Sequence, residues 1–387
     1  VRALQLEMCY SKRELLEAHL NLMPYGGNIQ GIGTASLIYF GKQPRRLGLA
    51  ESLALVLIPQ SPARRAPTHD EPRELRAGRE RLFERWVAAH PEARALTAHM
   101  AMPLEFGSIR DLPFNAPHFT DHVLHLQRSR AAVQSTLDLP LQRVAERVVT
   151  NYLREQRAIG VDNASVLLVD YRDMSVRAMV GSANFFSASI SGQVNGTLAK
   201  RSPGSTLKPF IYALAIDQGL IHPLTVLKDA PTSFGAYSPE NFDGRFVGPI
   251  TATEALIRSR NVPAVALSAQ LAQPSLYQFL KGAGVSQLAS EQHYGLALTL
   301  GGGEITMEEG AMLYAMLANR GRLAPLRYFA DEPQASGPRL LSEEASFMTL
   351  DMLQSAPRPQ DSFAQPRAGR SAAWKTGTSW GFRDAWT

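Results

Sequence analysis

The stretch Ser202-Pro203-Gly204-Ser205-Thr206-Leu207-Lys208-Pro209-Phe210-Ile211-Tyr212-Ala213-Leu214-Ala215 decides how this chain is read. Pro203-Gly204 is a turn signal, and the apolar run that follows has the texture of a buried helix. Ser205 therefore stands at or near a helix N-terminus, where free backbone N–H groups gather. Lys208, three positions on, shares a helix face with it. A serine hydroxyl is a poor nucleophile until a neighbouring base takes its proton. A lysine serves as that base only where burial or nearby positive charge lowers its pKa, and Ile211 and Leu214 can supply the burial. Pro209 has no N–H, so one early carbonyl of the helix loses its usual partner, which marks the first turn as specialised. Alone, the pair reads more simply as an N-capping serine and a solvated lysine.

Two further polar stretches change that weighting. Thr251-x-x-Glu254 caps a helix running to Arg258, and Ser259-Arg260-Asn261 lies at its end with Pro263 close behind. Ala372 to Trp380 alternates small and bulky residues, as a strand beside a crowded site does, and contains Lys375-Thr376-Gly377-Thr378. Each stretch is weak evidence by itself; the three in this order are strong evidence.

The 387 residues suffice for two or three domains, and 45% hydrophobic against 19% charged residues is a globular composition. A net charge of +5 fits an anionic partner without requiring one, and no nucleic-acid-binding signature is present. The single cysteine, Cys9, excludes an intrachain disulfide. No run of 18 apolar residues suggests a membrane span. The chain opens at Val1 within a helical pattern, without signal peptide or initiator Met, and is expected to be a fragment.

Ser11-Lys12-Arg13-Glu14 is a capping box opening a helix, Ile32 to Phe40 and Leu47 to Ile58 are helical, and Pro59-Gln60-Ser61-Pro62 ends the latter. Lys42, Arg45, Arg46, Arg64 and Arg65 read as a solvated basic rim, or as a grip on the phosphates of a lipid-linked substrate. Residues 69–96, dense in Arg and Glu, predict a solvated ion-paired helix or linker. His118, His122 and His125 have metal-compatible spacing but no evident fourth ligand. Asp138 leads into a helix with Leu141, Val144, Ala145, Val148 and Tyr152 on one face. Val166–Asp170 and Val176–Val180 form a hairpin. Gly301-Gly302-Gly303 lacks the ending of a phosphate loop and reads as a turn before a helix capped by Thr306 and Glu309.

Ser-x-x-Lys, Ser-x-Asn and Lys-Thr-Gly in this order resemble the motif set of penicillin-binding proteins and serine β-lactamases. Arg260 stands at the variable centre of the looser, penicillin-binding form. Residues 11–62 resemble the last part of a peptidoglycan glycosyltransferase, through Ser11 to Asn21, Tyr39-Phe40-Gly41-Lys42, Leu49-Ala50-Glu51 and Pro59-Gln60-Ser61-Pro62. The combination resembles a bifunctional class A penicillin-binding protein. Gly192-Gln193-Val194-Asn195-Gly196 and Pro24-Tyr25-Gly26-Gly27-Asn28 resemble its 1C subgroup.

The resemblance implies an α+β transpeptidase domain at 131–387, with an antiparallel sheet packed between helices plus an all-α subdomain. An α-helical, lysozyme-like glycosyltransferase remnant at 1–68 and a connector at 69–130 precede it. The glycosyltransferase acid and a membrane anchor are expected before Val1, and the rest of the transpeptidase sheet after Thr387. The enzyme would work at the periplasmic face of the bacterial inner membrane, on peptidoglycan stem peptides and lipid-linked disaccharide, without cofactor or metal. β-Lactams would inhibit it.

By the same resemblance Ser205 attacks the penultimate D-alanine carbonyl of a stem peptide and Lys208 is its base. Ser259 relays a proton to the leaving amine, and Asn261 holds a substrate amide and steadies Lys208. Lys375 lowers the Lys208 pKa and attracts the substrate carboxylate, which Thr376 and Thr378 bind. The N–H groups of Ser205 and Thr378 form the oxyanion hole. Gly377 permits close approach of the backbone to substrate. A β-lactamase or D,D-carboxypeptidase, and a non-catalytic β-lactam sensor or glycan-binding module, stay open as alternatives.

Overall fold

A computed structural model describes residues 2–127, 132–357 and 372–387. The expected boundary at 130/131 falls outside them. The chain forms two compact units, Val1–Phe114 and Asn115–Thr387.

The first unit is helical apart from a small ribbon at Pro24–Gly26 and Ile29–Gln30. Ser11 and Glu14 make the predicted reciprocal capping box on the helix Lys12–Leu22. Helices Ile32–Phe40, Leu49–Leu57 and Arg73–Ala89 surround a core of Tyr25, Tyr39, Leu55, Ile58 and Leu75. The Tyr39 hydroxyl, buried among these, donates to the Tyr25 carbonyl at 2.7 Å, since a buried polar tip needs a partner. Part of the basic rim is anchored. Lys42 pairs with Glu51 at 2.5 Å, and Arg65 donates to the Leu57 carbonyl at 2.9 Å. Arg79, expected to be solvated, is fully buried. Its guanidinium forks onto Glu71 at 2.8 and 2.9 Å and donates to the Met100 carbonyl, because an arginine this deep needs its whole donor fork satisfied.

The second unit is built around the helix Lys208–Asp217, whose residues from Lys208 through Ile216 are all buried. A helix apolar on every side belongs inside a layer of others. The helices Asn261–Gln270, Leu276–Gly282, Met307–Ala318 and Glu343–Gln354 contribute to the same core. Phe210 stacks near Phe279 at 5.9 Å and meets Tyr314 edge-on at 5.3 Å. Each buried Leu, Ile or Phe here contributes about 1.5–3 kcal/mol relative to exposure.

Strands pair as two-stranded antiparallel ribbons among the described residues, in an α+β arrangement. The predicted hairpin is Val166–Asp170 with Ser175–Val180, in the register Val166↔Val180, with a bulge between Leu168 and Val169. Two ribbons matter for the site. Val226–Asp229 pairs with Gly248–Thr251, and Gly377–Thr378 pairs with Ala385–Trp386. The strand expected across 372–380 is thus confined to two residues.

The helix Leu139–Gln156 starts at the predicted Asp138 cap but turns a different face inward. Leu141, Val144, Val148 and Tyr152 are 39–57% exposed, whereas Gln142, Val149 and Leu153 are buried. Gln142 explains the rotation. Its Oε1 accepts the Met179 N–H at 2.8 Å and its Nε2 donates to the Met179 carbonyl at 3.0 Å, so the amide stands in for a neighbouring strand. We expect Gln142→Leu to leave both buried groups unpaired and to cost about 2–3 kcal/mol, lowering the second unit's melting midpoint by roughly 5 °C. An unchanged thermal melt would refute that role.

Candidate active site

Ser205 lies in a single 3-10 turn, Gly204–Leu207, that leads directly into the helix beginning at Lys208. Pro209 accounts for this. It cannot donate to the Ser205 carbonyl, which instead accepts the Lys208 N–H in the tighter pattern. Ser205 itself is half-buried, while Thr206, Leu207 and Lys208 are buried.

Glycines let other segments close on this turn. Gly204 has φ +54°, and a Cβ there would lie 2.7 Å from the Thr378 nitrogen and strike the Thr378 carbonyl. A Cβ on Gly377 would strike the Pro203 carbonyl and lie 2.9 Å from the Thr206 nitrogen. The sequence reading assigned Gly377 to close approach of substrate. The space a side chain would fill is instead taken by the Ser205 turn, and the glycine lets the strand sit against it. Gly301 meets the same turn from another side, 2.5 Å from the Gly204 Cα as a Cβ would see it. Its carbonyl accepts the Ser202 hydroxyl at 2.7 Å. The Tyr314 hydroxyl donates to the Thr206 carbonyl at 2.8 Å.

Ser259 closes the helix Ala252–Ile257. Its N–H donates to the Leu256 carbonyl and the Arg260 N–H to the Ala255 carbonyl, the paired bonds of a Schellman ending. The residue at this position adopts φ +56°, usually a glycine's conformation. A serine there stores local strain of order 1 kcal/mol and places a hydroxyl where glycine would have none.

Two lysines meet that hydroxyl. Lys208 Nζ donates to the Ser259 carbonyl at 2.6 Å and to Asn261 Oδ1 at 2.6 Å, and lies 3.4 Å from Ser259 Oγ. Lys375 Nζ donates to Ser259 Oγ at 2.8 Å and to the Thr376 carbonyl at 2.7 Å. Lys208 is wholly buried and Lys375 nearly so. Burial first, then the charges of Lys375 and Arg260, hold Lys208 well below the ordinary lysine pKa. Burial pushes Lys375 down to about 8. Among the described residues no carboxylate pairs with either ammonium, so nothing offsets the cost of burying the charge and the neutral form of each is favoured relative to a solvated lysine.

The structure thus brings Lys208, Ser259, Asn261 and Lys375 into one hydrogen-bonded cluster beside the Ser205 turn. Ser205 Oγ is not hydrogen-bonded to Lys208 in this conformation; catalytic bonds of free enzymes commonly tighten only with substrate. Lys375, Gly377 and Ser379 are buried, whereas Thr376 and Thr378 are exposed, so the two threonines share the open face. The histidines belong elsewhere. The ring of His118 is within hydrogen-bonding distance of the Gly192 carbonyl, 2.9 Å away, and His122 lies 3.8 Å from Glu308. The described residues contain no group of three metal-ligating side chains.

Sequence reasoning missed Asp229, Asn241 and Arg260, which form a buried polar network behind Asn261. The only local signal is the turn-like Asn241-Phe242-Asp243-Gly244. Tyr314 and Gly301 carried no signal at all.

A half-buried serine on a helix-leading turn, with two pKa-lowered lysines about a second serine, is the kind of environment that nucleophilic serine chemistry requires. Residues 164–384 match the penicillin binding protein transpeptidase domain and residues 1–87 match the transglycosylase family. The chain is 38% identical to penicillin-binding protein 1C of Escherichia coli, over 100% of its own length and 49% of the relative's. It is 29% identical to penicillin-binding protein 2D of Bacillus subtilis, over 90% of its length and 54% of that protein's. Its fold resembles penicillin-binding protein 1A from Haemophilus influenzae with a TM-score of 0.65 at 18% identity, covering 96% of this chain and 78% of that one. The chain spans about half the length of these curated relatives. It belongs to the penicillin-binding protein family, with the transglycosylase-plus-transpeptidase composition of the bifunctional class A members.

The seating of Gly377 gives a direct test. Gly377→Ala should force strand and turn apart, lowering the melting temperature and slowing labelling by a fluorescent penicillin about tenfold or more. Wild-type values for both would contradict the close seating.

Proposed function

We propose that the second unit is a D,D-transpeptidase acylated at Ser205, and that the first carries part of the glycosyltransferase that polymerises lipid-linked disaccharide. The carrying observation is the set of hydrogen bonds around Lys208. A free amine has two N–H donors and one lone pair. The two 2.6 Å bonds, to the Ser259 carbonyl and Asn261 Oδ1, account for both donors. The lone pair is then left to take the Ser205 proton.

Ser205 Oγ attacks the penultimate D-alanine carbonyl, while the N–H groups of Ser205 and Thr378 stabilise the oxyanion. Donors of this kind are worth about 3 kcal/mol each. The C–N bond breaks, and Ser259, whose oxygen accepts from Lys375, gives its proton to the departing D-alanine amine. Lys208 returns a proton to Ser259. An amine of a second stem peptide then attacks the acyl-enzyme, with the same groups working in reverse to release Ser205. Lys375 and the exposed Thr376 and Thr378 hold the substrate carboxylate. β-Lactams enter by the same attack. The transglycosylase match favours cell-wall synthesis over β-lactam hydrolysis or sensing. A membrane anchor and a periplasmic location at the bacterial inner membrane complete this reading.

Mass spectrometry after penicillin treatment of the intact protein tests it. The adduct should sit on the Ser205 peptide and vanish in Ser205→Ala, and Lys208→Ala should slow acylation by at least ~100-fold. An adduct that persists in Ser205→Ala would overturn the assignment.

The acylation rate should also be bell-shaped in pH. It rises as Lys208 becomes the free base at a pKa well below the usual lysine value. It falls as Lys375 loses its charge at about 8. Lys375→Arg stays charged and should remove the falling limb; a limb unmoved by that change would assign it to another group.

A further inference from the structure

The middle residue of Ser259-Arg260-Asn261, read from sequence as a variable position, is one of the most completely tied side chains in the molecule. Arg260 is 5% exposed. Its Nε donates to Asp229 Oδ2 at 2.8 Å, its Nη1 to both oxygens of Asp243 at 3.1 and 3.0 Å, and its Nη2 to the Arg245 carbonyl. Asp229 is fully buried at the end of its ribbon. Its other bonds come from Asn241 Nδ2 at 2.7 Å and the Val247 N–H at 3.1 Å.

The network leads straight back to the site. Asn241 Oδ1 accepts the Asn261 N–H at 2.8 Å. The Glu240 carbonyl accepts Asn261 Nδ2 at 2.6 Å, which leaves Oδ1 as the end facing Lys208. The orientation of that amide is therefore set by residues 240–241, and residues 229 and 241–245 are held by Arg260. On the other side of Arg260 stands Ser259 in its left-handed conformation, which persists only where the surroundings over-determine it. A buried ion pair of this kind is weak evidence for stability, because desolvation offsets much of the attraction. Its use here is geometric.

We infer that Arg260, fastened by Asp229, Asp243 and the Arg245 carbonyl, is the positioning residue that holds Ser259 and Asn261 against Lys208. It touches no substrate and acts through its two neighbours. A second effect follows from its place. The charged groups around Lys208 are Lys375 and Arg260, with Asp229 and Asp243 beyond the guanidinium. Arg260 thus contributes both shape and field, and the two can be separated.

The inference rests on acylation at Ser205, so the first measurement is the second-order rate of acylation of the wild-type intact protein by a fluorescent penicillin across pH. Absence of labelling there would defeat the functional reading itself. With labelling established, Arg260→Lys keeps the charge but loses the fork. It should lose about 100-fold in rate with the rising limb of the pH profile unmoved. Arg260→Gln loses both and should show the same fall, with the rising limb displaced to higher pH. Asn241→Ala, which keeps Arg260, should lower the rate about tenfold with the limb in place. Near-wild-type melting of Arg260→Lys identifies it as folded; should the Gln variant not fold, the Lys and Asn241 variants decide. Folded Arg260→Lys and Asn241→Ala proteins acylated within about twofold of wild type would overturn the inference, as would a rising limb in Arg260→Gln that stays where the wild type's lies.

Discussion

Everything in the second unit answers to one constraint: an amine must be kept out of water without a carboxylate beside it. Lys208 is enclosed on every side, and its nearest formal charges are positive. An ammonium so placed loses hydration and is repelled by its neighbours, so the neutral form is favoured. The protein compensates with neutral acceptors only, a backbone carbonyl and a carboxamide oxygen. These satisfy N–H donors without restoring the charge a carboxylate would stabilise. A glutamate at position 261 would pair with the cation and favour the charged form instead.

The fold supplies that enclosure from sequence-distant pieces. The all-apolar helix Lys208–Asp217 sets the depth of the lysine. The Schellman ending at Ser259 turns the chain so that one residue presents both its carbonyl and its hydroxyl. The Gly377–Thr378 strand seals the turn because two glycines remove the side chains that would hold the backbones apart. Rigidity comes from behind, through the network centred on Asp229 and Arg260.

The sequence made the three polar stretches legible because each has local grammar: a turn before an apolar helix, a capped helix before the second triplet, alternation around the last. The hairpin and the helix caps at Ser11, Asp138 and Thr306 were readable for the same reason. What stayed hidden was tertiary. The face of Leu139–Gln156 that packs is chosen by Gln142, whose amide pairs with backbone a strand away; periodicity counts apolar residues and passes over it. Arg79 reads as surface charge, and Arg260 as a variable motif centre, because no local pattern reports that Glu71 or Asp229 waits in the interior. The sequence marks Gly377 for close approach of substrate, whereas the backbone it actually meets, at Pro203 and Thr206, lies far back in the chain.

That last separation has a consequence for biosynthesis. Lys375 and its partner Ser259 are 116 residues apart, and the strand Gly377–Thr378 that follows Lys375 packs against the Ser205 turn. A nascent polypeptide that has emerged only as far as the helix Glu343–Gln354 already contains Ser205, Lys208 and the second triplet, yet lacks one of the two lysines and the backbone that packs against the turn. The hydrogen-bonded cluster about Ser259 is therefore assembled only once residues 375–378 have been made and have docked against the turn.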